Sequence, residues 1–507
     1  MAKAEEKSLQ GASDALGAGA DSGKDAGKGV SDAGVLDADS GKGAGEGALG
    51  VSKGYVIALF AVVTLSSAMG NLSQTAVNAM LGSIDADFGV DAAVGQWLTT
   101  SYMLMLGITV PAVTFIAKRF TVRQHVLAAI AVFALGAACC FAAPSFPAMF
   151  AGRVLQAVAA GMLMPLMQNI AMMRFAVDKR ATAMGVAGIA MGFAPNIGPT
   201  IGGAMVDAFG WRSFFLLLIG IMVLLGIVAC IVVRREGAQD KTARLEAVSL
   251  LLSTLGFGGL LLGFSNASSF GLANLYVWVP VAVGTIGLVL FVCRQRRLER
   301  TGTLPLISMR IFKNRQFVIG FTAQCLLNAS FMGITLVIPL YVEELCGGTA
   351  LQAGMVLLPA TIAALIFNPL GGILTDRIGA RPVVVIAGVC LSVGAVAMTC
   401  IGRNTPFWLV MMFQGIRAVG VSFMIGPITS WSLNDLPCPL VADGSSFSVA
   451  ARQACASLGT SVMVCAITLV GASATGAAWS AFAYHVAFGI SAALSLATFI
   501  YCALRVR

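Results

Sequence analysis

Charged residues are scarce in this 507-residue chain: Asp, Glu, Lys and Arg together make up 11% of it, whereas a soluble domain carries about 25%. Hydrophobic residues make up 58% of the chain, and the mean hydropathy is +0.88. A chain of this composition has too little polar surface to face water, so the composition excludes a soluble fold. It predicts a protein that is embedded in lipid.

Residues suited to metal or redox chemistry are also few. The chain has only two histidines, His125 and His485, and none of its 12 cysteines forms a C-x-x-C pair. Most cysteines lie inside apolar runs, where they act as small hydrophobic residues. We therefore expect no metal site, no cofactor and no catalytic cluster, and we predict that the protein is not an enzyme.

Residues 1–54 consist largely of Gly, Ala, Asp, Ser and Lys. They carry too few large apolar side chains to offset the entropy of folding, so they are predicted to form a disordered tail. The segment lacks the apolar core of a secretory signal. Its Gly-Lys pairs lack the upstream glycine of a phosphate-binding loop, so no ATP-binding site is expected in the chain.

From residue 55 onward, apolar stretches follow one another, and about 20 such residues suffice to cross a bilayer. Their number predicts fourteen transmembrane helices. The predicted spans are 55–77, 94–116, 123–143, 147–172, 181–206, 213–233, 246–264, 275–293, 317–341, 350–374, 382–400, 406–432, 445–470 and 480–504.

The charges of the loops alternate along the chain. Lys and Arg cluster after spans 2, 4, 6, 8, 10 and 14, whereas the opposite loops are mostly acidic or uncharged. Basic loops stay in the cytoplasm, so the pattern predicts a plasma-membrane (inner-membrane) protein with both termini cytoplasmic. The same clusters account for the net charge of +9, so we expect membrane lipid as a partner and no nucleic acid.

Two sets of six predicted helices flank a central pair. The N-terminal set occupies 55–235 and the C-terminal set 317–504, with an extra helix pair at 246–293 and a basic cytoplasmic linker at 294–316. Duplicated halves are the usual construction of secondary transporters, which bind their solute between the halves. The expected fold is an all-α integral membrane protein.

The most distinctive motif follows span 10, where residues 372–381 read GILTDRIGAR. Its glycines permit close helix packing and a tight turn. Asp376 lies near a helix end, where it could pair with an arginine or with a neighbouring helix terminus and so lock two helices together. The alternative is an ordinary turn with solvated charges. The candidate gating residues are Gly372, Asp376, Arg377, Gly379 and Arg381.

This motif resembles the signature loop of the major facilitator superfamily. A degenerate copy follows span 2, with Lys118 in place of the acid and Thr121 in place of a glycine. The resemblance covers residues 55–504, and the sequence QWLTTSY at 96–102 is similar to the fourteen-span drug:proton antiporter branch. It implies two six-helix bundles with a central extra pair, and export of drugs or other amphipathic small molecules, driven by the proton gradient.

The fifth span carries a glycine- and proline-rich stretch that looks like the antiporter motif of the same superfamily. Glycines on one helix face allow close packing, and a proline allows a bend. The alternative is a packing seam without any directional meaning. The candidate residues are Gly185, Gly198, Pro199, Gly202 and Gly203.

Polar residues within the spans are the candidates for coupling or for lining a cavity. Arg153 matches an arginine that the superfamily uses in coupling, and Arg417 lies deeper in its span. Cations at such depth are costly and often functional, although Arg153 could also snorkel to the interface. Neutral amides suit a cavity for amphipathic solutes or simply bridge helices. The candidate amides are Asn78, Gln168, Asn196, Gln324 and Asn328.

No Asp or Glu lies in the middle of any predicted span. Ser73 occupies a position at which the antiporter branch often has an Asp. A proton-coupled transporter needs a group that gains and loses a proton between the two faces. Proton coupling is therefore the expectation from the resemblance. The alternative is a transporter or uniporter of a metabolite or peptide that exchanges no proton.

Overall fold

The computed structural model describes residues 52–234, 246–271, 274–303, 305–347, 350–472 and 477–506. Nearly all of the predicted tail lies outside these ranges. Helices make up the ordered elements of the described part, and no strand occurs in it. The all-α class predicted from the sequence is therefore confirmed.

Fourteen helical elements follow the predicted spans, and two of them are interrupted. They are α1 (Lys53–Phe88), α2 (Trp97–Arg119), α3 (Val122–Phe141), α4 (Phe146–Arg174), α5 (Arg180–Gly188 and Ala194–Phe209), α6 (Trp211–Val232), α7 (Ala247–Phe270), α8 (Leu275–Arg300), α9 (Arg315–Leu340), α10 (Ala350–Met355 and Leu358–Ile378), α11 (Ala380–Met398), α12 (Phe407–Asn434), α13 (Cys438–Ala472) and α14 (Ala477–Arg505). Short helical turns lie at Ala92–Gly95, Val177–Lys179, Met309–Lys313 and Tyr341–Leu345.

Among the described residues, 13 helices are long and apolar enough to cross a membrane. The remaining predicted span is α5, which a π-helical turn at Ile189–Phe193 divides into two shorter segments. The turn ends two residues before Pro195. A proline lacks the N–H that would continue an α-helix, and its ring collides with the carbonyl four residues earlier. The wider π turn is a usual way to accommodate such a break.

Small residues set the distances between the helices. A Cβ atom on Gly136 of α3 would lie 2.7 Å from the carbonyl oxygen of Gly152 on α4, and one on Gly259 of α7 would lie 2.7 Å from Gly284 of α8. Close approach of this kind is how helices associate in lipid, where the hydrophobic effect does not drive them together. Many large apolar side chains also point outward, as Ile231 does with 79% of its surface exposed.

The central pair α7–α8 touches helices of both predicted sets. The Thr100 hydroxyl of α2 lies 3.1 Å from the Ser265 hydroxyl of α7, and the Cys465 thiol of α13 donates to the Ala267 carbonyl of α7 at 3.0 Å. At 294–316, residues 294–300 continue α8, and Arg315 begins α9. The segment that connects α8 to α9, residues 301–314, is therefore shorter than the predicted linker at 294–316.

The basic loops that follow α2, α4, α8 and α10 lie at one end of the helix bundle, called here the basic end. α5 begins at this end and α10 finishes there, so the start of one helix meets the finish of the other.

Candidate functional site

The first half of α5 packs along α10, and this contact is called here the α5–α10 seam. Asn368, Gly372 and Asp376 are four residues apart, so they share one face of α10. This face meets α5 over its first turns, from Ala181 to Gly188. The gating motif and the first glycine of the antiporter motif thus meet in one contact.

Asp376 caps the N-terminus of α5. Its Oδ1 accepts a hydrogen bond from the Ala181 N–H (3.1 Å), and its Oδ2 accepts from the Thr182 N–H (2.7 Å) and the Thr182 hydroxyl (2.6 Å). The first N–H groups of a helix have no partner within it, and the helix dipole favours an anion there. Arg377 and Arg381 are exposed, and in the described part neither forms an ion pair with Asp376. The sequence left two kinds of partner open for Asp376, an arginine or the end of a neighbouring helix. Its carboxylate binds the helix end.

The seam closes tightly because glycines line it. A Cβ on Gly372 would lie 2.2 Å from the Ala181 carbonyl oxygen, and one on Gly185 would lie 2.5 Å from the Asn368 carbonyl oxygen. Even an alanine at either position would force the helices apart. Gly379 has a φ of +87° at the break between α10 and α11, a conformation that favours glycine.

Two asparagines that sequence reasoning missed bind the interrupted part of α5. The Asn368 amide donates to the Gly188 carbonyl at 3.0 Å, and the Asn71 amide of α1 donates to the Ala190 carbonyl at 2.8 Å. Both asparagines are buried, with 0% and 6% of their surfaces exposed. They satisfy carbonyls at the π turn, where the regular helix ladder is broken. The only signal in the sequence was an amide within each apolar run.

The other antiporter-motif residues face a different helix. Cβ atoms on Gly198 and Gly202 would lie 2.1 Å from the Thr75 hydroxyl and 2.6 Å from the Ala76 carbonyl oxygen of α1. A Cβ on Gly203 would meet nothing within 4 Å, and Pro199 is half-buried. The structure therefore does not bring the five candidate residues into one contact: Gly185 faces α10, and the later glycines face α1.

Arg153 is fully buried among α1, α2 and α4. Its Nη1 donates to the Ser73 hydroxyl (2.7 Å) and to Gln156 Oε1 (2.9 Å), and its guanidinium lies 4.3 Å from the centre of the Tyr102 ring. Its Nη2 has no hydrogen-bond partner in the described part of the protein. Among the described residues, this buried cation thus contacts hydroxyl, amide, backbone carbonyl and aromatic groups, and no carboxylate.

Arg417 is equally buried, in the second set of helices. Its Nη2 donates to the Ser330 carbonyl of α9 at 2.9 Å. Gln324, also on α9, bonds to Ser432 (2.9 Å) and Thr429 (3.3 Å) of α12, and the Asn328 amide donates back to the Gln324 carbonyl (2.9 Å). Arg417 and Gln324 therefore link α9 to α12, whereas Asn328 bonds within α9.

The other candidate amides differ in their surroundings. Asn78 is exposed, whereas Gln168 and Asn196 are buried. Among the described residues, neither polar atom of the Gln168 side chain has a hydrogen-bond partner, and neither does Asn196 Oδ1. Unpaired buried amides are costly, and these two side chains keep hydrogen-bonding capacity that no described residue uses.

A second contact between the two sets lies at the same end, where α2 approaches α13; it is called here the α2–α13 seam. A short stretch after α8, Leu306–Ser308, lies buried in it and is called here the central segment. The Thr114 hydroxyl of α2 donates to the Leu306 carbonyl at 2.8 Å, and the Ser308 N–H donates to Asp443 Oδ2 of α13 at 2.8 Å. Gln295 of α8 accepts the Leu306 N–H at 2.8 Å.

Comparison with known proteins places the chain in a family. Residues 61–460 match the family model of the Major Facilitator Superfamily. The chain is 34% identical to the transporter YcnB of Bacillus subtilis, over 85% of this chain and 90% of that one. It is 31% identical to the lincomycin resistance protein LmrB of Listeria monocytogenes (84% and 88%), and 27% identical to the multidrug resistance protein B homolog of Mycobacterium tuberculosis (80% and 75%).

Solved structures agree on the fold. The proton:xylose symporter XylE matches with a TM-score of 0.60 at 13% identity, over 89% of this chain and 96% of that one. The human organic anion transporter MFSD10 matches with the same score and identity, over 88% and 99%. Given the matched family model, the relatives and the shared helical architecture, the chain belongs to the major facilitator superfamily.

Proposed function

We propose that the protein exports drugs or other amphipathic small molecules across the plasma membrane by alternating access, and that it is not an enzyme. The relatives named for lincomycin resistance and multidrug resistance support this substrate class. The basic end then faces the cytoplasm, as do both termini, because basic loops are retained there. Small-molecule solute and membrane lipid are the partners; nucleic acid, ATP and cofactors play no part.

The observation that carries the mechanism is the contact of Asp376 with Ala181 and Thr182. It joins a helix of one six-helix set to a helix of the other, at the end assigned to the cytoplasm. Each of its hydrogen bonds uses a group that water can also satisfy, so the contact can break without leaving a buried charge unpaired. It therefore suits a gate that closes the cytoplasmic side while solute leaves on the other side.

The interior residues suit the binding of varied solutes. Gln168 and Asn196 offer unpaired amide groups, and Arg153 and Arg417 supply buried positive charge. A few polar groups among many apolar side chains are the usual lining of a small-molecule site. We assign these four residues to the solute path or to its immediate support.

The proton gradient is the proposed source of energy, as in the antiporter branch that the sequence resembles. The alternative is transport of a metabolite or peptide without proton exchange. One observation favours the alternative: Arg153 contacts Ser73 and Gln156 where a carboxylate would provide a titrating partner.

The export function is tested by drug accumulation in a bacterial host that lacks its own pumps. Cells that make the protein should accumulate less of a fluorescent drug or dye than cells that make Asp376→Asn at the same membrane abundance. Equal accumulation for every compound in a panel of cationic, neutral and anionic dyes would contradict export of drugs.

Coupling to protons is tested separately, in inside-out vesicles with a pH-sensitive dye. Addition of a transported drug should release protons from the interior of energised vesicles that contain the protein, and should release none from vesicles that lack it. Drug uptake that persists without a proton gradient and leaves the interior pH constant would favour the alternative.

A further inference from the structure

The central segment contacts α2 one turn before the position at which the motif after span 2 lacks a gating acid. The motif after span 2 aligns Lys118 with Asp376, and the same alignment places Thr114 at the position of Gly372. In the α5–α10 seam, Gly372 lets α10 touch the Ala181 carbonyl directly. In the α2–α13 seam, the Thr114 hydroxyl donates to the Leu306 carbonyl of the central segment instead.

In the α2–α13 seam the acidic residue is Asp443, which lies on α13 and not on α2, the helix that carries the motif. Asp443 lies in the second turn of α13, with 3% of its surface exposed, and its carboxylate accepts the N–H of Ser308 at 2.8 Å. A carboxylate on one helix and a backbone N–H on the other partner thus recur in both seams. In the second, the N–H belongs to the central segment, at Ser308, the residue that precedes the short helical turn Met309–Lys313.

The central segment is buried within the α2–α13 seam and does not lie on its surface. Leu306, Ile307 and Ser308 expose 5%, 0% and 8% of their surfaces. Gln295 of α8 holds the segment through the Leu306 N–H at 2.8 Å, and Glu299 accepts the Ser308 hydroxyl at 2.6 Å. Its backbone therefore bonds to α2, α8 and α13 at once, and α2 cannot part from α13 unless one of these bonds breaks.

We propose that the central segment is the second closing element of the cytoplasmic side, with Asp443 and Thr114 as positioning residues that hold it against the two halves. The extra helix pair then belongs to the gate, because α8 anchors the segment. Opening the cytoplasmic side requires both the Asp376 contact and the Asp443 contact to break. This inference rests on the proposed function only for alternating access, and not for the identity of the solute.

The test measures how readily the seam opens. Ser446 of α13 is 1% exposed beside the segment's site and lines a narrow cleft with Thr114 and Ala117. In a Ser446→Cys background, a membrane-impermeant maleimide is added to inside-out vesicles, and modification at residue 446 is followed by mass spectrometry. The exposed native Cys438, the first residue of α13, provides the reference for reagent access at the basic end.

Three changes break the contacts at different points. Ser308→Pro removes the donating N–H, and the Ser308 φ of −71° already suits proline. Asp443→Asn removes the charge, and Thr114→Val removes the hydroxyl at nearly constant volume. Each should raise the labelling rate roughly tenfold, the change in open population expected when one such buried hydrogen bond is lost.

Ser308→Ala is the matched control, because it keeps the N–H and removes only the hydroxyl, which donates to Glu299 and accepts the Arg310 N–H. Its labelling rate should stay near that of the parent. Unchanged labelling in Ser308→Pro and Asp443→Asn, at normal membrane abundance, would overturn the proposal. So would an equal rise in Ser308→Ala. Because labelling needs no solute, its result is independent of the drug-accumulation experiment: either can fail while the other succeeds.

Discussion

At the basic end, two seams join helices of the two sets, and the space between the helices is closed differently in each. In the α5–α10 seam the helices touch directly, because Gly372 and Gly185 carry no side chain and Asp376 binds the free N–H groups of α5. In the α2–α13 seam the central segment fills the space between Thr114 and Asp443. Both seams thus contain a contact between a carboxylate and a backbone N–H, with the acid on α10 in the first seam and on α13 in the second.

The difference shows how a lost motif residue can be replaced. A threonine at the position of a contact glycine prevents direct approach, but its hydroxyl can bind a third element. The central helix pair delivers that element. The comparison predicts that the first seam depends on the absence of side chains as well as on the hydrogen bonds of Asp376, whereas the second depends on hydrogen bonds to the central segment.

The largest effect is expected at Gly372. A Cβ there would lie 2.2 Å from the Ala181 carbonyl oxygen, so Gly372→Val should hold the seam open and reduce drug export to the level of cells without the protein. Gly203→Val is the control, since a Cβ at Gly203 meets nothing within 4 Å. Accumulation assays at matched abundance check both. Export that survives in Gly372→Val would show that closure of this seam is dispensable.

The next effect separates Asp376 from its neighbouring arginines. Asp376→Asn weakens three hydrogen bonds at the start of α5, and a hydrogen bond to a charged group contributes about 1.5–3 kcal/mol. Export should therefore fall about tenfold or more. Arg377→Gln and Arg381→Gln should retain most of the export, because both arginines are exposed. Equal losses in all three variants would contradict the assignment of the helix terminus as the partner.

A moderate effect is expected at the π turn. Asn368→Leu leaves the Gly188 carbonyl without its donor from the other half of the protein, at a cost of about 1–3 kcal/mol for an unpaired buried group. Asn71→Leu removes the corresponding donor from α1, within one half. Both variants should lower the Tm. Only Asn368→Leu should change the distance between spin labels at Lys179 and Ile378, which lie on the two sides of the α5–α10 seam. Asn78→Ala, at an exposed position, provides the control.

The smallest effect concerns the anchor of the central pair. Glu246 pairs with Arg294 at the start of α7, and the hydrogen bond from Arg294 holds the pKa of Glu246 below its usual value. A lowered pKa means that the pair stabilises the protein above the unfolded-state pKa and loses this effect as the pH falls through the folded-state pKa. Glu246→Gln should thus lower the Tm slightly at pH 7, and the difference should vanish in acid. A Tm difference that grows in acid would contradict the pairing.

The sequence predicted the elements that depend on local pattern. Apolar stretch length predicted the helices, and among the described residues the predicted span at 181–206 is the one without a helix long and apolar enough to cross a membrane. The Asp376 motif predicted a charged contact near a helix end, and its partner proved to be the start of α5. Glycine spacing predicted close packing, but it could not show that Gly185 and Gly202 face different helices.

Contacts between distant segments could not be read from the pattern. Nothing near Ser308 indicates that its N–H meets Asp443, 135 residues away. Asn368 resembled any amide in an apolar run until its partner on α5 was known. Gln324 was assigned to a cavity on its type alone, and its side chain bonds to Ser432 and Thr429 of α12. Residue type limits what a side chain can bind, and the fold determines which partner lies within reach.

The most direct measurement of the gate is the distance across both seams by pulsed electron paramagnetic resonance. Spin labels on non-natural amino acids at the exposed Lys179 and Ile378 report on the α5–α10 seam, and labels at the exposed Phe120 and Cys438 report on the α2–α13 seam. Asp376→Asn should produce a second, longer distance at both pairs, in equal proportion. A longer distance at the first pair alone, or at neither, would contradict alternating access through a jointly closed cytoplasmic side.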